Sequence, residues 1–402
     1  MKIGILSFYY NNFNYGGMLQ AYALCKSIEM MGYDVEQIAF DCWAPKKTSL
    51  KDSRRDKWKQ ANICKKAELI FLHMKDKILS KFPKKGQKAP AEFVLRLEER
   101  KEAFLRFQDI IPHSSTIYSE HNISNCANNY DVFIVGSDQV WNENLGRPLY
   151  LLDFLSSQKL RISYAASIAQ TVLSIRQKNL FREQLPKFLG VSVREPDAVD
   201  LVKEFAPVSW VLDPTLLLTR EQWDSICADR MIDEEYIFCY FLGENSKTRK
   251  IVSKFAKEQN IQIVTLPFLL GYKKSERKFG DVHLFDVSPD QFISLIKHAK
   301  YVFTDSFHAA VFSNIYEKSY AVFNRDKKGT MNSRIYGLIK IFGQDKRFCA
   351  KKSQLNVTYL KQVLNLDEKV NDTIFKELKN NSAIFLQKHL EEAKDYLKNG
   401  KN

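Results

Sequence analysis

The feature that most constrains this chain is an order that keeps returning: a short apolar run, a polar loop, then a helical pattern. "KIGILSFY" runs into the loop "YNNFNYGG" and the helical stretch "MLQAYALCKSIEMMGY", and "DVEQIAFD" follows as the next strand. Strands alternating with helices in this way bury both faces of a parallel sheet, so an α/β fold is expected. "YDVFIVGSDQVWN", "LRISYAASIA" and "FLGVSVREP" extend the pattern, with a helix over "TVLSIRQKNLFREQL". Residues 1–208 read as one Rossmann-like domain carrying a basic helical insertion at 45–110. A second pass begins at "VSWVLDPTLLL" and continues through "YIFCYFLG", "NIQIVTLPF", "AKYVFTD" and "SYAVFN", giving a second Rossmann-like domain over 209–350. The tail, 351–402, carries apolar positions at helical spacing and is expected to cross back to the first domain. Two such domains face each other across a cleft, and ligands belong at the C-terminal strand edges. The loops expected there are 11–17, 136–142, 165–170, 192–196, 213–215, 242–246, 267–272, 304–309 and 324–334.

Charge and cysteines narrow the setting. Of the net charge of +14, +11 falls within residues 45–90, which hold 15 Lys/Arg against 4 Asp/Glu. "AELIFLHMKDKILSKF" would form a basic helix with an apolar face, suited either to an anionic membrane surface or to packing one face on the domain. The positive charge is local and no nucleic-acid motif accompanies it, so no nucleic-acid partner is expected. Seven cysteines at scattered, unpaired spacings give neither a disulfide framework nor a zinc ribbon. No apolar run reaches the roughly 18–20 residues of a membrane span. A cytoplasmic protein, with a peripheral position on the inner membrane face as a further expectation, follows from these features.

One junction concentrates polar chemistry. In "TDSFHAAVF" (304–312) a strand closes on Asp305 and a helix opens at Ser306, with His308 in its first turn. Backbone N–H groups at such a helix start suit an anion. The bland alternative is a capped helix with a histidine that happens to follow.

The edge loops, taken in series, resemble the polysaccharide pyruvyl transferase family: "NYGGMLQAYAL" (14–24), "YDVFIVGSDQVWN" (130–142), "SYAASIA" (163–169), "SVRE" (192–195), "VLDPTLLL" (211–218), "TDSFHAAVF" and "RIYGLIKIFG" (334–343). Some members carry Arg-Leu-His where this chain has Ser306-Phe307-His308. The resemblance implies a glycosyltransferase-B-like arrangement and transfer of a pyruvyl group from phosphoenolpyruvate to two hydroxyls of a sugar as a ketal. The sugar would belong to a capsule, exopolysaccharide or cell-wall precursor, and a lipid-linked acceptor would suit the basic segment. A sugar-nucleotide-dependent glycosyltransferase on the same scaffold is the alternative. On this resemblance phosphoenolpyruvate would be the donor substrate, and neither a cofactor nor a metal is demanded. The donor needs guanidinium groups and N–H donors, and its methylene carbon needs a proton. His308 is the candidate general acid, with Asp305 orienting it or accepting a hydroxyl proton and Asp138 as a candidate base. Donor binding falls to Arg194, Ser306, Arg334, Arg325 and Asn332, the last two in a polar loop with Lys327 and Lys328. Arg194 has an ion pair with Glu195 or another acid as its bland alternative. Acceptor binding falls to Asn14, Tyr15, Gly16, Gly17, Gln20, Ser137, Trp141 and Ser167, with Trp141 stacking on a sugar ring.

Overall fold

A computed structural model of the protein describes residues 1–42, 91–145, 148–267, 269, 271, 276–325, 333–366 and 372–400. The basic stretch 45–90 and Lys327, Lys328 and Asn332 lie outside the described residues. In the first half, β1 (Lys2–Leu6) pairs in parallel with β2 (Asp34–Gln37) and with β3 (Val132–Val135), which pairs with β4 (Leu160–Ser163). β5 (Ser192–Val193) and β6 (Ser209–Trp210) are also parallel, and bridges from Ile162 to Gly190 and from Ala166 to Val193 join them to β4. The strands therefore run β2-β1-β3-β4-β5-β6. Around them lie α1 (Tyr15–Met30), α2 (Ala91–Gln108), α3 (Ile175–Gln184) and α4 (Pro196–Val202).

The second half begins with the short α5 (Arg220–Asp224). Its sheet comprises β7 (Tyr236–Tyr240), β8 (Gln262–Thr265), β9 (Val282–His283), β10 (Tyr301–Thr304), β11 (Ser319–Phe323) and β12 (Phe348–Cys349), in the order β12-β11-β10-β7-β8-β9. All its pairs are parallel. The helices are α6 (Ser246–Gln259), α7 (Pro289–His298), α8 (Phe307–Ile315), α9 (Ser333–Ile341), α10 (Val357–Leu364) and α11 (Asp372–Asn399). Runs such as "VFIV" and "YIFCY" are buried at every position, as central parallel strands covered on both faces must be. Winding reverses between β1 and β3 and between β7 and β10, and such switch points open crevices at the C-terminal strand ends.

One apolar cluster spans both halves. Tyr15 and Tyr22 of α1 and Phe104 of α2 meet Trp223, Phe292 and Phe312. Tyr15 stacks on Phe292 at 4.5 Å and donates its hydroxyl to the Val287 carbonyl at 2.9 Å. Arg100 of α2 reaches across to the carbonyls of Phe285 (3.0 Å) and Pro267 (2.8 Å). The tail helix α11 bridges too: Phe375 packs on Phe342, while Phe385, Leu386, Leu390 and Ala393 cover Ile3, Ile5 and Val35.

Two boundaries differ from the sequence reading. "VSWVLD" closes the first sheet instead of opening the second, because Ser209 and Val211 donate their N–H groups to Val191 and Val193. Helix 91–108, read as part of an insertion over 45–110, is an interface helix held by Arg100 and its aromatic face.

Candidate functional site

The site grows from the ends of β5 and β6. Asp213 follows β6 and caps the turn at Pro214. Its Oδ1 accepts from the Thr215 N–H (3.1 Å) and Oγ1 (2.7 Å), which fixes the carboxylate. Its Oδ2 accepts from Arg194 Nη1 at 2.8 Å. Arg194, just past β5, also lies 3.5 Å from Asp138 Oδ1 and 3.7 Å from Glu195 Oε1. Three carboxylates thus converge on one guanidinium. Among the described residues no group of three His, Cys, Asp or Glu is placed to hold a metal ion. Burial disfavours the charge of Arg194, but Asp213, Glu195 and Asp138 outweigh it and hold the group protonated beyond the ordinary arginine range. Arg194 Nε and Nη2 are nevertheless buried without a hydrogen-bond partner.

The other half contributes His308. Ser306 caps α8, accepting weakly from the Ala309 N–H at 3.5 Å, and places His308 in the first turn. His308 Nε2 lies 3.6 Å from Asp213 Oδ2 and has no hydrogen-bond partner. The ring backs onto Gly16, where a Cβ would come within 1.9 Å of Nδ1. Burial opposes ionisation of Asp213, but the charges of His308 and Arg194 hold its carboxyl well below the usual carboxylate range. Phe307 lies under the Arg194 guanidinium at 4.9 Å.

Beside this cluster is a hollow of about 340 Å³, including its open mouth, lined by Arg194, Glu195, Asp213, Phe307, Arg334 and Leu338 among others. Arg334, in the first turn of α9, keeps a partly accessible edge in otherwise enclosed surroundings. Burial and the Arg194 charge lower its pKa to about 10, with the nearby Glu195 and Asp138 carboxylates offsetting them only in part. The mixed apolar and cationic lining suits a small anion with a hydrocarbon part.

The remaining sequence candidates fall in several places. Asp305 does not face His308. Its two oxygens accept from the N–H groups of Leu242 and Gly243, both at 2.7 Å, so it ties β10 to the loop after β7. The acid beside the imidazole is Asp213. Trp141 is no exposed platform: it is 3% exposed, donates Nε1 to the Tyr150 carbonyl at 3.1 Å and packs on Phe181. Tyr15 belongs to the interface core, and Gln20 is spent on the Gly17 carbonyl (2.9 Å) and the Ser137 N–H (3.0 Å). Ser137 donates to the Ala165 carbonyl at 2.9 Å, and the Ser167 hydroxyl is taken by Glu195. Asn14 caps α1, accepting from the Gly17 N–H at 3.2 Å. Gly16 lies against His308, while Gly17 approaches the Phe8 carbonyl too closely for a side chain. Arg325 donates to the Asp305 carbonyl at 3.2 Å. The sequence reading passed over Asp213 as a turn residue. Its signal was an apolar pair, Val211 and Leu212, ending in an acid within a loop assigned to the cleft.

A family model described as polysaccharide pyruvyl transferase matches residues 14–327. No curated protein matches the chain. Among solved structures, UDP-GlcNAc 2-epimerase from Methanocaldococcus jannaschii is similar at 13% identity, covering 96% of this chain and 99% of that one, with a TM-score of 0.48. UGT89C1 from Arabidopsis thaliana is similar at 10% identity, covering 98% of this chain and 99% of that one, with a TM-score of 0.47.

Proposed function

The chain belongs to the polysaccharide pyruvyl transferase family, and from that premise we propose that it transfers the enolpyruvyl group of phosphoenolpyruvate to two hydroxyls of one sugar in a surface-glycan precursor. The observation that carries the reading is the half-apolar hollow in which Arg334, its charge only partly offset by Glu195 and Asp138, stands with Arg194, whose Nε and Nη2 lack a hydrogen-bond partner. A donor bearing a carboxylate and a phosphate would meet both guanidinium groups there, and its methylene suits Phe307 and Leu338.

The reaction then runs in three steps. His308 delivers a proton to the methylene carbon, and the adjoining carbon becomes oxocarbenium-like. A sugar hydroxyl attacks that carbon while a base, for which the partly accessible Asp138 is the candidate, takes its proton. Phosphate leaves with the C–O bond electrons, and the second hydroxyl closes the ring, losing its own proton. One diol and one phosphoenolpyruvate become one ketal and one inorganic phosphate. The N–H groups opening α8 and the guanidinium groups of Arg194 and Arg334 stabilise the departing anion.

The test is incubation of lipid-linked and free glycan fractions with phosphoenolpyruvate, read by mass spectrometry. Gain of one pyruvyl group less water, with phosphate released, is the expected result. Arg334→Gln should raise the donor KM by about 10–100-fold, as loss of a charge-assisted anion contact does. No mass gain on any glycan, or an unchanged donor KM in the variant, overturns the reading.

A further inference from the structure

The two most exposed large aliphatic residues among those described are Ile175 (81%) and Val172 (74%), and they sit together at the start of α3. The exposure follows from local construction. Ser174 caps the helix in a reciprocal box with Gln177, and Leu173, Gln177 and Phe181 turn inward. That register leaves Val172 and Ile175 pointing away from the core. Ser174 also donates to Glu143 at 2.7 Å, which ties the tip to a second segment whose Leu145 is itself exposed.

Cations stand beside the aliphatic pair. Arg176 and Lys178 are exposed and form no ion pair with a described residue. Behind the tip is a hollow of about 420 Å³, including its open mouth, with a largely apolar wall that includes Trp141, Pro148, Leu151, Leu180 and Phe181, and Arg176 and Glu143 both stand at its lining. Hydrogen bonds link the hollow to the candidate site: the Trp141 backbone N–H donates to the Ser167 carbonyl at 3.2 Å, and the Ser167 hydroxyl donates to Glu195. Single exposed aliphatics are ordinary on protein surfaces, but an adjacent pair flanked by unpaired cations and backed by an apolar hollow is a surface built to be covered. The covering that satisfies both halves of the chemistry has hydrocarbon below and negative charge at its face.

We propose that the α3 tip docks on an anionic lipid bilayer, with Val172 and Ile175 entering the headgroup boundary and Arg176 and Lys178 pairing with its phosphates. The surface does not depend on the identity of the donor, so its test is separate from that of the reaction.

The test is co-sedimentation of the full chain with vesicles of phosphatidylcholine containing phosphatidylglycerol, alongside vesicles of phosphatidylcholine alone. The chain should bind the anionic vesicles, and less so as salt rises. A combined Val172→Asp and Ile175→Asp variant should lose about tenfold or more in partitioning, as burying charge in place of aliphatic surface requires. Both positions lie in solvent, so the variant should melt as the unaltered protein does; a milder Val172→Ser, Ile175→Ser pair repeats the test should it not. A third variant neutralises Lys46, Lys47, Arg54 and Arg55, in the basic segment. Failure of the unaltered chain to bind anionic vesicles overturns the proposal. So does aspartate-variant binding equal to that of the unaltered chain, including the case in which only the third variant loses binding. A change in self-association in place of lipid binding overturns it equally.

Discussion

Gly16→Ala isolates the contact between the two halves at the candidate acid. The added Cβ would lie 1.9 Å from His308 Nδ1, 2.4 Å from Cε1 and 2.6 Å from Cγ. Ordinary contact begins near 3.4 Å, so the ring or the helix carrying Gly16 must retreat by about 1.5 Å. The helix has little room. Asn14 caps it, Tyr15 is stacked in the interface, and Met18 and Leu19 are core residues. The ring is therefore the part that yields, at a rotamer cost of roughly 0.5–1.5 kcal/mol. Replacing a helical glycine by alanine returns up to about 1 kcal/mol, so net stability should change little. Catalysis should not escape: a misplacement of about 1 Å at a reacting group costs on the order of 100-fold. The assay is phosphate release from phosphoenolpyruvate with a glycan fraction that supports turnover by the unaltered enzyme, paired with a thermal melt. The expected result is a kcat about 100-fold lower with a melting temperature within a few degrees of the original. A folded variant with unaltered kcat would refute the placement of His308 in the chemistry.

Two further changes probe the buried charges and the tail. Asp213→Asn leaves Arg194 and His308 without the anion between them, and should cost about 3–5 kcal/mol in urea unfolding at pH 7. Because the native carboxyl titrates below its unfolded value of about 3.9, its contribution is present above that pH and fades as pH falls beneath it. The difference between the two proteins should thus shrink between about pH 4 and pH 2, and a constant difference would contradict the assignment. Ser382→Ala removes a fully buried hydroxyl that accepts from the Leu212 N–H at 2.9 Å and donates to the Leu378 carbonyl at 2.6 Å. Stranding that N–H should cost about 1–3 kcal/mol, read as a lower urea midpoint with an unchanged slope.

The sheets were legible because central parallel strands are written as unbroken apolar runs, and "VFIV" or "YIFCY" admits few other readings. Short strands were not: β9 and β12 contribute two residues each, too few for a pattern to register. Strand pairing was misjudged at Ser209–Trp210, since a strand's sequence says that it will pair and not with which neighbour. In the site, Arg194, His308 and Gly16 were marked by loop position and do come together. Trp141 and Gln20 misled because aromatic and amide side chains serve a core as readily as a sugar, and only their hydrogen-bond partners separate the two uses. Asp213 was hidden for the opposite reason. An acid before proline is ordinary turn chemistry until two cations from distant segments are seen to meet at it.

The aromatic seam between the halves bears on how such a protein could be recombined. Exchanging one half for that of a relative would cut through Tyr15, Phe104, Trp223 and Phe292 together. A working hybrid would have to inherit α2 and the long C-terminal helix along with the half they clasp. The useful crossover points are set by that seam and not by the loop between the sheets.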